Sequence, residues 1–157
     1  MDFADNTNDY DYLEELTNSD FEVADNQPNI LGWDVHDTHQ NKVGEVSDLL
    51  FNSETRKVRY IILDMESNDV DLENGRVIVP IDIAVFDEKK DIVKLPDVST
   101  TTLEYLPLYE RGRLINKHTD DDIRRALDIP ERDAPIKPGS LNVSQTKIFS
   151  KREPDLS

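Results

Sequence analysis

The sequence predicts a mainly β domain: a small barrel or curled antiparallel sheet of about six short strands, followed by a short helix. Three observations carry this. Between residues 30 and 95, apolar residues alternate or run in short blocks between polar turns, spaced 8–16 residues apart, as in small all-β folds. Helix signals occur only after residue 95. Both ends have the composition of flexible extensions: residues 1–27 hold nine acidic residues and no Lys or Arg, and residues 130–157 hold four prolines and Gly139.

The first strand is expected in "ILGWDVHD", where Trp33 and Val35 alternate with Asp34 and His36. This phase makes Trp33 a core residue rather than a recognition residue. "DTHQNK" is a polar turn of hairpin length. In "KVGEVSDLLF", Val43 and Val46 lie three apart with Gly44 between them. This breaks simple alternation and predicts a bulge or bend at the glycine. "VRYIILDM" is the most continuous apolar run and reads as a central strand covered on both faces. "RVIVPI" follows as a strand ended by Pro80, and "AVFDEKKDIVKL" as a hairpin.

"STTTLEYLPLY" allows a short helical turn near Leu103. "TDDDIRRALDIP" predicts a helix capped by Thr119, with Asp120–Asp122 favouring its N-terminal dipole, Ile123, Ala126 and Leu127 on one face, and Pro130 stopping it. The chain thus divides into an acidic leader (1–27), a β domain (28–110), a helical extension packing on it (111–129) and a flexible tail (130–157) whose large apolar pair is Ile148 and Phe149.

The leader is expected to be disordered over residues 1–8. Its later part places Tyr10, Tyr12, Leu13, Leu16, Phe21 and Val23 among acids. Burying three or four such groups gains roughly 4–8 kcal/mol. Ordering about fourteen residues costs more, at roughly 1–2 kcal/mol each. A short, salt-sensitive helix near Leu13 is therefore expected, marginally held on the β domain. Docking needs a local helix, hydrogen bonds to a strand edge, or attraction to the basic patch Arg111, Arg113, Lys117 and His118, which otherwise reads as ordinary surface balance or as a dock for an acidic partner. Tyr10, Tyr12, Leu13, Leu16, Phe21, Arg111, Arg113 and Lys117 form the candidate docking surface.

The net charge of −16 repels phosphate backbones, so no nucleic-acid partner is expected. No cysteine is present, which excludes disulfides and thiolate metal sites and fits a reducing compartment. The acidic N-terminus lacks an apolar signal region, and no window approaches the ~18–20 apolar residues of a membrane span. A cytoplasmic location is expected.

Two clusters have the composition of a metal site. His36 and His39 with Asp34 and Asp37 read as metal ligands or as a solvated turn. His118 with Asp120, Asp121 and Asp122 reads as a hard-cation site or as a helix start. No Ser–His–Asp order or phosphate-cradling glycine loop is evident, and paired carboxylates carry no weight among 34 acidic residues. No enzyme activity, cofactor or metal is expected.

Taken together, "GWDVHDTHQNKVGEVSDLLFNSETRKVRYIILDM", "GRVIVPIDIAVFD" and "DIVKLP" resemble a PRC-barrel domain, the β-barrel named for the cytoplasmic domain of the photosynthetic reaction-centre H subunit. A similar barrel forms the second half of a ribosome maturation factor. The resemblance covers roughly residues 28–110, and the leader is similar to that of small free-standing bacterial PRC-barrel proteins. It departs from the H subunit in having no membrane-spanning helix, and from the ribosome factor in having only 29 residues before the fold. The resemblance implies a non-catalytic binding or assembly module whose partner is a protein, a second copy included. The alternatives are an accessory subunit docked peripherally on a membrane redox or photosynthetic complex, and a metal-dependent enzyme or cation-binding protein.

Overall fold

The computed structural model describes residues 13–25, 27–70, 72–110, 115, 117–127 and 141–145. Among these described residues are nine strands: β1 (Leu13–Glu15), β2 (Phe21–Val23), β3 (Asp34–His36), β4 (Lys42–Asn52), β5 (Lys57–Asp64), β6 (Arg76–Pro80), β7 (Val85–Asp87), β8 (Ile92–Lys94) and β9 (Val143–Gln145). Two helices follow the main sheet, α1 (Thr100–Glu104) and α2 (Lys117–Leu127). Seven strands form one sheet in the order β6-β5-β4-β3-β8-β7, with β1 beside β4, while β2 and β9 form a separate ribbon. The expected six strands are therefore too few. Among the described residues no ladder joins β6 to β7 to close a barrel. No helix among the described residues is long and apolar enough to cross a membrane.

β4 organises the sheet. It is 11 residues long and pairs with β5 along one edge. Its other edge is shared: β3 takes Lys42–Glu45 and β1 takes Leu50–Asn52. Val35 faces Gly44 while His36 faces Lys42, so Val43 is an extra residue. Val46 faces Leu63 while Asp48 faces Ile62, so Ser47 is another. The first of these bulges accounts for the three-residue spacing of Val43 and Val46, both of which are buried. β5 lies between β4 and β6, and Tyr60, Ile61, Ile62 and Leu63 are all buried, as a strand covered on both faces requires.

The leader is part of this architecture. Leu13–Glu15 forms a strand, followed by a single 3-10 turn at Leu16–Asn18, where a helix was expected. A helix this short has an unfavourable nucleus, whereas the second half of β4 offers an edge of backbone groups that β3 is too short to reach. Asp48 reinforces the junction: its carboxylate accepts from the Thr17 amide (3.0 Å) and the Thr17 hydroxyl (2.6 Å). Leu16 and Val23 enter the core. Phe21 packs on Phe51 with centroids 5.0 Å apart, and the Arg56 guanidinium lies 5.1 Å from the Phe21 ring centre.

The tail reading needs a similar correction at residues 141–145. β9 pairs with β2, and the Val58 amide donates to the Leu141 carbonyl at 2.9 Å. Leu141 and Val143 are buried, and these apolar groups outweigh the polar composition around them. The expectations for residues 1–8, for the rest of the tail and for Ile148 and Phe149 lie outside the described residues.

Gly44 shows why a side chain is excluded at the first bulge. A Cβ built there would lie 2.2 Å from the Asp64 carbonyl oxygen and 2.8 Å from Leu63 Cδ1. The carbonyl belongs to the backbone and cannot rotate away. Gly44→Ala is expected to cost roughly 2–4 kcal/mol, because β4 and β5 must separate locally to admit the methyl. Denaturant melts check this, and a loss below about 0.5 kcal/mol, the size of an ordinary surface change, would refute the close-approach argument.

Candidate functional site

Of the residues proposed from sequence as a docking surface, the structure describes Leu13, Leu16, Phe21 and Lys117. Tyr10, Tyr12, Arg111 and Arg113 lie outside the described residues. Leu13, Leu16 and Phe21 are committed to β1, the core and the Phe51 contact. Lys117 is exposed in the first turn of α2 and paired with Asp121 at 3.2 Å on the same helix. The described part of the leader is thus tied to β4 and β9, and Glu15 accepts from the Tyr109 hydroxyl at 2.5 Å.

The two histidine–aspartate clusters are not assembled into ligand sets. Asp37 is buried and organises the β3–β4 turn. One carboxylate oxygen accepts from the His39 amide (2.9 Å) and the Asn41 amide (3.0 Å), and the other from the Thr100 hydroxyl (2.6 Å). Burial alone would raise its pKa. The Thr100 hydroxyl, the two backbone amides and the charge of His39 outweigh burial, and the pKa is lowered. Asp34 pairs instead with Lys42 at 3.4 Å. In the second cluster His118 faces Asp122 at 3.6 Å, while Asp120 turns inward. Among the described residues no group of three or more His, Asp or Glu is placed to hold a metal ion.

Asp120 belongs to a buried polar network missed from sequence. α2 begins at Lys117, before the expected Thr119 cap, so Asp120, Ile123, Arg124 and Leu127 share the inward face. Asp120 accepts from the Tyr60 hydroxyl and from Arg124 Nε at 3.0 Å. Arg124 also reaches Asp82 at 3.5 Å. Burial opposes the charge on Arg124, yet Asp120 and Asp82 outweigh it and raise its pKa. The network fastens α2 to the middle of β5. The signal was present in the sequence: Asp120 and Arg124 fall at helical spacing within the stripe of Ile123 and Leu127.

A cleft of mixed polar and apolar lining lies at the opposite end of β5 from the β4–β5 turn. Its volume is about 470 Å³, and it is lined by Met65, Leu72, Glu73, Asn74, Leu103, Glu104, Leu106 and Leu108. One wall is the loop after β5. There the Asn68 side chain donates to the carbonyls of Met65 (2.6 Å) and Leu72 (3.0 Å) and accepts from the amides of Val70 and Leu72 (both 2.9 Å). The other wall is α1 and the segment after it, capped by Ser99, whose hydroxyl accepts from the Thr102 amide at 3.2 Å. The floor residues Met65, Leu72, Leu103 and Leu106 are buried, whereas Leu108 is 56% and the neighbouring Tyr105 75% exposed.

Glu73, Asn74 and Glu104 are exposed at the rim. An adjoining open hollow of about 530 Å³, lined by Asp64, Glu66, Asn74, Gly75, Arg76, Tyr109 and Glu110, adds further acid. Its described cation, Arg76, is engaged by Asp64 at 3.5 Å. An apolar floor with a carboxylate rim suits an apolar side chain flanked by cations. The cleft was not anticipated, but "LEYLPLY" carries more large apolar groups than a five-residue helix can bury.

A family model described as PRC-barrel domain matches residues 22–101. No match to the chain was found among curated proteins.

Removing Asp120 leaves the buried Arg124 cation short of its closest described carboxylate. Asp120→Ala is expected to cost roughly 3–5 kcal/mol, whereas Asp82→Ala, at the half-exposed end of the network, is expected to cost about 1 kcal/mol or less. Denaturant melts of the two variants check the order, and equal costs would contradict the inward-facing role of Asp120.

Proposed function

The chain belongs to the PRC-barrel family, and from that premise we propose that it is a non-catalytic binding and assembly module, acting in the cytoplasm through protein–protein contacts of a PRC-type barrel. PRC-barrel domains serve as protein-interaction and assembly modules, and the contact surface in this chain is the cleft between the loop after β5 and α1. Leu108 is the observation that carries this reading. Its backbone is fixed to the sheet by a bridge to Val77, and the next residue, Tyr109, donates to the Arg76 carbonyl at 2.7 Å. Its side chain nevertheless stays 56% exposed beside a cleft floored by apolar groups. A large apolar group held rigidly at a surface contributes little to folding and much to a contact.

The charge of −16 supports a protein partner over nucleic acid. The polar groups at the cleft are exposed carboxylates and one amide, an arrangement that suits steering of a cationic partner better than proton transfer in a dry site.

Retention of native-host proteins on the immobilised chain tests this, read as the difference between wild type and Leu108→Asp. A partner retained by wild type is expected to be lost by about tenfold or more from a Leu108→Asp chain with an unchanged thermal midpoint. Retention indifferent to Leu108 would remove the cleft from the account.

A further inference from the structure

Resting on the reading of the cleft as a docking site, we infer that its occupant is the segment Lys147–Arg152 of a second copy of this chain. The segment reads Lys147-Ile148-Phe149-Ser150-Lys151-Arg152. It places two large apolar groups between three cations, in a chain with almost twice as many acidic as basic residues. The cleft is its complement: four buried apolar side chains at the floor, Leu108 at the lip, and Glu73 and Glu104 at the rim, with Glu66 and Glu110 in the adjoining hollow. Apolar contact holds the aromatic or aliphatic anchor, and the carboxylates select the cations around it.

The segment of the same molecule does not reach. Leu141–Val143 runs antiparallel to the start of β5: Leu141 accepts from Val58, and Val143 donates to Arg56. The chain therefore moves away from the cleft as it approaches Gln145, which pairs with Phe21. The cleft begins at Met65, beyond the far end of the eight-residue β5. That strand alone spans roughly 23 Å. The four residues from Gln145 to Phe149 span at most about 14 Å. A neighbouring molecule carries no such restriction. The cleft and the tail are different surfaces, so the contact is head-to-tail, and each copy donates one segment and receives another.

The test is a fluorescence anisotropy titration of a labelled Thr146–Glu153 peptide with the full chain, paired with sedimentation velocity of the full chain. The expected result is saturable binding with a dissociation constant of roughly 0.1–1 mM. Binding is expected to weaken about tenfold with Phe149→Asp in the peptide or Leu108→Asp in the chain, and several-fold, in order-of-magnitude terms, in 0.5 M salt. Charge reversal at the exposed Glu73 and Glu104 (E73K/E104K) gives the same weakening without touching the floor. Sedimentation is expected to show concentration-dependent association that Phe149→Asp in the full chain abolishes. Absence of peptide binding, or binding indifferent to both Leu108 and the rim glutamates, overturns the inference. If the peptide fails while a host protein is still retained in a Leu108-dependent way, the second-copy inference falls and the assembly reading stands.

Discussion

The passage of β4 directly over the backbone of Asp64 is the constraint on which the rest of the structure depends. Gly44 has no side chain because the Asp64 carbonyl occupies the place one would take. That approach fixes where β5 ends and where the chain turns away from the sheet. The turn at Met65 is then held by its amide donating to the Gly75 carbonyl at 2.8 Å, and the following loop returns to the start of β4 through the Asp69 amide and the Lys42 carbonyl, also 2.8 Å. One wall of the cleft therefore hangs on the bulged beginning of β4. The other wall hangs on the strand paired with it. Asp37, at the β3–β4 turn, holds the Thr100 hydroxyl, and the Thr38 amide donates to the Val98 carbonyl at 2.8 Å. Both walls thus come from one hairpin, which is how a cleft this close to the surface is given a fixed shape.

The length of β4 explains the leader as well. A strand of 11 residues paired by a three-residue neighbour leaves backbone donors and acceptors along part of one edge, and these require partners. β1 supplies them at Leu50–Asn52. Between the two neighbours, Asp48 bonds the Thr17 amide and hydroxyl and the Leu49 amide. The leader is then carried to Phe21, which packs on Phe51, and onward to β9. The gain is not the burial of a few leader side chains, which falls short of the ordering cost, but the satisfaction of a sheet edge that exists regardless.

This distinction explains what was legible in the sequence. The strands from β3 to β8 were legible because each has its own periodicity and its own turn residues. The Gly44 bend was legible because a three-residue gap between Val43 and Val46 has few other causes. The strands β1, β2 and β9 were not. Their stability resides in partners distant in the chain, such as Asn52 for Leu13. The polar composition around them points to a solvated chain, and a ladder overrides composition. Of the functional region, the basic patch and the histidines drew attention because they are chemically conspicuous. The cleft is built from Met65, Leu72, Leu103, Leu106 and Leu108, leucines and a methionine that look individually like core. What sets Leu108 apart is a backbone bound into the sheet and a side chain left out of the core, a combination visible only in three dimensions.

The cleft is built in advance, by hydrogen bonds that tie its two walls to the β3–β4 hairpin. Residue-resolved amide hydrogen exchange measures this most directly. The amides of Met65, Asp69, Val70 and Leu72 on one wall, and of Leu103 and Tyr109 on the other, each have a described acceptor. They are expected to be protected from exchange by about 100-fold or more relative to an unstructured chain, a factor that corresponds to about 2.7 kcal/mol of opening free energy. Exchange of these amides at unstructured rates, while those of β5 remain protected, would contradict the claim: the cleft would then form only when a partner arrives.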